Sequence, residues 1–140
     1  MRVIEWGICD QSTPFKGPLY SSVSAGFPSP ADDHLQATLD LNQYLIKNPS
    51  ATFFVRASGQ SMEGAGIYSN DILIVDRSKE AKSSDIVIAV VDGEFLVKRF
   101  KKTATMTRLC AEHEDIPDLI VTADMQAHIW GVVTYVIHAV

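Results

Sequence analysis

This 140-residue sequence predicts a mostly β domain with one short helix and an N-terminal arm, and three observations carry that reading. Short runs rich in β-branched and aromatic residues recur from residue 52 to the end, bounded by Gly, Asp, Asn or Ser. Asp92-Gly93 separates two of these runs, the signature of a two-residue hairpin whose central positions both need positive φ. A single segment carries both the start and the stop signals of a helix.

Taken in order, residues 1–35 show no sustained period and are rich in Ser, Pro and Gly. Pro14, Pro18, Pro28 and Pro30 each remove a backbone donor and restrict the preceding residue, so no long helix is expected here. A flexible arm, extended or weakly structured, is predicted over 1–35, followed by a β-rich domain over 36–140. In LDLNQYLIKNP (39–49), Asp40 can cap a short helix, Leu41 and Leu45 share a face, and Asn48-Pro49 stops it. Strands are predicted at TFFVRA (52–57), DILIVD (71–76), DIVIAVVD (85–92), EFLVKRF (94–100) and MTRLCA (106–111). The last, IWGVVTYVI (129–137), is almost continuously apolar and must be covered on both faces. The core covers one, and a second subunit would cover the other, so a homodimer is expected.

Composition excludes several functions. The net charge of -5 argues against duplex-DNA binding by bulk charge, which needs a basic face. The one basic cluster, Lys98-Arg99-Phe100-Lys101-Lys102, reads as a protected strand edge. Cys9 and Cys110 have no CxxC spacing, and His34, His113, His128 and His138 show no ligand spacing, so neither metal nor cofactor is expected. Glu5 and Asp10 interrupt the first residues, which do not read as a signal peptide. No apolar run reaches the roughly 18 residues that span a bilayer, and the expectation is a cytoplasmic protein.

The segment ASGQSMEGAG (57–66) lies between two predicted strands, a common position for a catalytic loop on a rigid scaffold. Gly59 and Gly64 would permit a tight, exposed turn around Ser61. A plain glycine-serine loop is the competing reading. The G-x-S-x-G hydrolase elbow does not fit, because residue 63 is Glu, the glycine falls one place late and a strand follows. A nucleophilic serine needs a base, and no histidine sits in a recognisable triad context. A lysine kept neutral by burial is the other solution. Alternation puts Lys98 with Leu96 and Phe100, and Arg99 with Phe95 and Val97, so periodicity alone leaves the inward cation open. Chemistry favours Lys98, because a guanidinium cannot be deprotonated in a protein.

The combination of GFPSP (26–30), DLNQYLIKNPSATFFVRASGQSM (40–62), DILIVD and DGEFLVKRF (92–100) resembles the UmuD-like accessory subunits of bacterial error-prone DNA polymerase V. It is more distantly similar to the self-cleaving half of LexA-type repressors, and both are S24-type peptidases. The resemblance runs from about residue 25 to the C-terminus. It implies a LexA/signal-peptidase-like β fold and a Ser-Lys dyad of Ser61 and Lys98. It also implies an oxyanion hole of the Gln60 and Ser61 N–H groups. The implied partners are a RecA filament on single-stranded DNA, which provokes self-cleavage, and a UmuC-type Y-family polymerase. No counterpart of the helix-turn-helix domain of LexA-type repressors is expected in these 140 residues.

Within SSVSAGFPSP (21–30), Ala25-Gly26 aligns with the scissile step of this family. Alanine suits a shallow pocket, and Gly26 lets the backbone pass close to a nucleophile without a Cβ clash. Residues 21–25 could add as a strand beside the active site. The expected product, residues 26–140, has 140 − 25 = 115 residues. Two other readings stand beside this one. One is a polymerase-binding module that does not cleave. The other is a LexA-like regulator lacking its own DNA-binding domain, which the acidic composition disfavours.

Overall fold

The structure, a computed structural model, describes residues 1–10, 16–20 and 35–140. In chain order its elements are β1 (Arg2–Ile8), β2 (Lys16–Tyr20), β3 (Leu35–Asp40), α1 (Leu41–Leu45), β4 (Thr52–Ser58), β5 (Ile72–Asp76), β6 (Ile86–Val91), β7 (Glu94–Lys102), β8 (Thr107–Cys110), β9 (Leu119–Ile120) and β10 (Ala127–Ile137). They form two compact units, residues 10–47 and residues 1–9 with 48–140. The mostly β class is as predicted.

In the smaller unit β2 pairs antiparallel with β3, Lys16 opposite Asp40 and Tyr20 opposite Leu35. Pro18 is tolerated because a two-stranded pair has free edges. Asp40 caps α1 as expected, accepting from the Asn42 N–H at 2.9 Å and the Gln43 N–H at 3.5 Å. The predicted cleavage step Ala25-Gly26 lies outside the described residues, in the connection from β2 to β3.

The larger unit is an antiparallel sheet in the order β1-β4-β5-β10-β6-β7-β8-β9. Strand β1 also meets β7, Arg2 opposite Leu96, so the sheet closes on itself there. Period-two alternation sorts side chains into two cores. Ile88 and Val97 join Val55, Leu73 and Val75 in one, while Val87, Ala89 and Phe100 join Leu109 and Val132 in the other. Asp92 and Gly93 have φ of 48° and 83°, the positive pair that the hairpin reading required.

Strand β10 pairs with β6 through its first half and β5 through its second, with register shifts between Ile129 and Gly131 and between Val133 and Tyr135. Two bulges let one strand bend from one neighbour to the other. Gly131 is needed at the crossing, since a Cβ there would lie 2.5 Å from Val75 Cγ1. Strand β1 falls within the stretch expected as an arm. Its alternation is broken by a register shift between Val3 and Glu5, which hides the period-two signal.

Candidate active site

Ser61 sits in the connection from β4 to β5, and main-chain hydrogen bonds hold that connection. Gly59 turns the chain at φ 111°. Met62, fully buried, anchors the turn in the first core, and its carbonyl accepts from the Ala65 N–H at 3.0 Å and the Ile67 N–H at 3.2 Å. From the far side comes Glu112, just beyond β8. Its N–H donates to the Ser61 carbonyl at 2.7 Å, and its carbonyl accepts from the Gly64 N–H at 2.9 Å. Gly64 is required for that approach, because a Cβ would stand 2.6 Å from the Glu112 carbonyl oxygen. Sequence reasoning assigned Gly64 only a turn role and missed Glu112, which no local pattern marks.

The expected exposure of the turn is corrected. Ser61 is only 4% exposed, because β1 brings Met1 against it. The Met1 amino group donates to Ser61 Oγ at 2.5 Å, and the Met1 carbonyl accepts from the Val97 N–H at 3.0 Å. The backbone of one residue therefore spans from the Ser61 hydroxyl to the residue preceding Lys98. The charge of Lys98 is felt at the same place. Burial first, then the positive charges of Lys98 and Arg2, hold the Met1 amino group below its ordinary value.

Lys98 itself is half-buried on β7, opposite Val87. Burial pulls its ammonium below the usual lysine value, and the negative charge of Asp118 opposes that shift. Its neighbour Arg99 is engaged elsewhere. The Arg99 Nε donates to Glu112 Oε1, and its Nη1 donates to the Ser84 carbonyl at 2.6 Å. Among the described residues, then, Lys98 is the β7 cation whose charge reaches the Met1 amino group, which donates to Ser61 Oγ. Burial and Asp118 push the Cys110 thiol up, so it keeps its proton.

Neither the Gln60 nor the Ser61 N–H donates to a main-chain carbonyl among the described residues. His138 pairs with the buried Asp71 at 2.6 Å, an arrangement that superficially resembles two members of a triad. No hydrogen bond joins any histidine of the described residues to Ser61; its hydroxyl partner there is Met1. Among the described residues no cluster of three His, Cys, Asp or Glu side chains could hold a metal ion. No helix of the described residues is long and apolar enough to cross a membrane.

The chain is similar to known proteins over most of its length. A family model described as peptidase S24-like matches residues 18–134. Protein ImpA of Escherichia coli is 47% identical over 123 residues, covering 86% of this chain and 83% of its own. Protein MucA of Escherichia coli is 42% identical over 120 residues, covering 84% of this chain and 82% of its own. The LexA repressor of Pectobacterium carotovorum subsp. carotovorum (strain PC1) is 36% identical over 110 residues, 79% of this chain and 54% of the repressor. A buried serine turn and a desolvated strand lysine are thus found on a chain that belongs to the peptidase S24-like family.

Proposed function

We propose that this protein is a UmuD-like subunit that cuts its own chain at Ala25-Gly26, using Ser61 as nucleophile and Lys98 as base. The carrying observation is the span of Met1, which touches Ser61 Oγ at one end and the Val97 N–H, next to Lys98, at the other. An incoming carbonyl must displace the Met1 amino group to reach Ser61.

Neutral Lys98 Nζ takes the Ser61 hydroxyl proton while Oγ attacks the Ala25 carbonyl carbon. The Gln60 and Ser61 N–H groups hold the developing oxyanion. Collapse breaks the Ala25–Gly26 bond, and the ammonium of Lys98 returns its proton to the leaving Gly26 amine. Lys98 then accepts a proton from water, which attacks the Ala25–Ser61 ester, and returns it to Ser61 Oγ as that ester breaks. The products are residues 1–25 with a new carboxylate and residues 26–140. Because the substrate is tethered, effective concentration replaces affinity. A RecA filament on single-stranded DNA is the trigger, and the 26–140 form serves a UmuC-type translesion polymerase as a cytoplasmic homodimer. Tyr135 and Ile137 of β10, 37% and 48% exposed, support the dimer reading.

The test is incubation with RecA, an ATP analogue and single-stranded DNA, followed by intact mass measurement. Conversion to the 115-residue product supports the reading; an unchanged mass with active RecA overturns it.

A further inference from the structure

We infer that cleavage uncovers a strand-accepting groove, between β4 and β7, for an extended segment of a partner protein. This rests on the proposed cut at Ala25-Gly26. Strand β1 lies N-terminal to that cut, yet it is a wall of the body that lies C-terminal to it. It pairs with β4 from Arg2 opposite Ser58 to Ile8 opposite Phe53, and it bridges β7 at Leu96. When β1 leaves, both strands regain edges with unpaired backbone donors and acceptors, which is the template for β-strand addition.

The cut also removes what keeps β1 docked. Val3 reaches the first core and Met1 is buried, but Trp6 is 47% exposed and Ile8 78% exposed. A strand so lightly buried depends on its tether. A tether that supplies an effective concentration of roughly 1 mM is enough to keep a strand of ~10 μM affinity about 99% docked. Cutting returns that strand to its bulk concentration. The second attachment weakens together with the first. Strand β2 lies on the same fragment and pairs only with β3, and the cut falls in the β2–β3 connection. An isolated two-stranded pair without its connection is marginal in water.

What β1 leaves behind specifies its replacement. The first position fills the place of Met1 and must be apolar. The fifth faces Arg56, whose Nε donates to Glu5 Oε2 at 2.7 Å, so it must be acidic. The sixth sits where Trp6 packs edge-on against Phe95 at 4.6 Å and Trp130 at 4.7 Å, so it must be aromatic. An apolar, then acidic-aromatic, extended segment fits, and β1 is its template.

The probe is a peptide of residues 1–10 with a fluorophore at its C-terminus, read by anisotropy. It is titrated onto three proteins: the uncut chain, the chain after self-cleavage, and a Ser61→Ala chain. In the last, a foreign endoprotease sequence replaces residues 21–26 and is cut by that protease. Binding to both cut forms at least about tenfold tighter than to the uncut chain is expected, as is a loss of about tenfold for the Trp6→Ala peptide. Arg56→Glu in the body should weaken binding, and the Glu5→Arg peptide should restore it. Equal binding to cut and uncut chains, no binding to the foreign-protease product, or no restoration by the charge swap overturns the inference. Failure of the wild-type chain to cut itself, with tight binding to the foreign-protease product, would sink the proposed function and leave the groove standing.

Discussion

The turn that carries Ser61 and the strand that carries Lys98 are held in place by opposite means. The turn depends on backbone: carbonyls accept from Glu112, Ala65 and Ile67, and Gly64 is small enough for Glu112 to approach. The strand depends on side chains, because alternation on β7 places Val97 in one core and Phe100 in the other. A backbone-held turn fixes the direction of one small hydroxyl. A strand gripped from both faces lets a long cation be desolvated without burying it fully. The difference teaches where each half of the site is fragile: the turn to added atoms, the strand to changed charge.

The largest effect should come from removing either of the proposed reacting groups. Ser61→Ala and Lys98→Ala are each expected to lower the self-cleavage rate by at least about a thousandfold, since members of one catalytic unit fail together. First-order conversion to the 115-residue product, followed by intact mass, is the measurement. Arg99→Ala should retain cleavage, because a guanidinium cannot serve as the base. An inactive Arg99→Ala beside an active Lys98→Ala would reverse the assignment of the strand.

Next in size is the dependence on pH, which separates the two halves of the site. Only the neutral amine can accept the serine proton, and burial sets the Lys98 value below that of a solvated lysine. Without RecA the rate should climb as pH rises from about 7 and then level off before or near the solvated value of about 10.4. A histidine base would already be neutral above about pH 7.5, giving a flat profile there. Gly64→Ala should lower the plateau and leave the midpoint in place, because it shifts the turn and not the lysine. A midpoint that moves with Gly64→Ala would show that the two halves are not separable.

These expectations also mark what the sequence could say. The strands from β4 to β8 were legible because β-branched runs ended at turn residues, and Asp92-Gly93 announced its own backbone. Ser61 and Lys98 stood out as candidates on chemistry alone: a serine between glycines, and a lysine rather than an arginine within an apolar strand. The burial of Ser61 was not, because it comes from Met1, which is 60 residues away. Glu112 was hidden for the same reason, acting through its backbone from beyond β8. Strand β1 was masked by its register shift and by its composition, which local periodicity cannot read.

Gly64→Ala bears on the fragility of the turn in its own right. The added methyl would stand 2.6 Å from a backbone carbonyl oxygen, which cannot rotate away as a side chain can. Either the Glu112 segment retreats and both main-chain bonds lengthen, or the turn shifts. A stability loss of about 1–3 kcal/mol is expected, the range for overpacking a well-filled site. Urea unfolding of a Ser61→Ala background, which stays uncut, measures it. A loss under about 0.5 kcal/mol, the size of an ordinary surface change, would mean the approach is not tight.

The smallest effect concerns the charge on the strand, and its sign is fixed. Lys98 has a folded value below its unfolded one, so between the two the unfolded chain binds more protons than the native chain. Stability therefore rises with pH across that window. Below the folded value the cost of holding a charged amine in a half-dry site is present in full. Lys98→Met keeps the length of the side chain and removes the charge. In the uncut Ser61→Ala background it should be the more stable chain at pH 7, and the gain should shrink as pH approaches about 10, where the unfolded lysine also begins to lose its proton. Asp118 works against the shift and half of the side chain stays in contact with water, so the gain should be modest. The same substitution should let the Met1 amino group recover part of its ordinary value, because Lys98 is second only to burial in depressing it. Urea midpoints taken at half-unit steps from pH 6 to 10, with Lys101→Met as the control on the same strand, measure the difference. A gain that is constant with pH would be packing alone and would remove desolvation as the source of the base. A gain that shrinks for Lys98→Met and is absent for Lys101→Met would tie the cost to the cation proposed as the base.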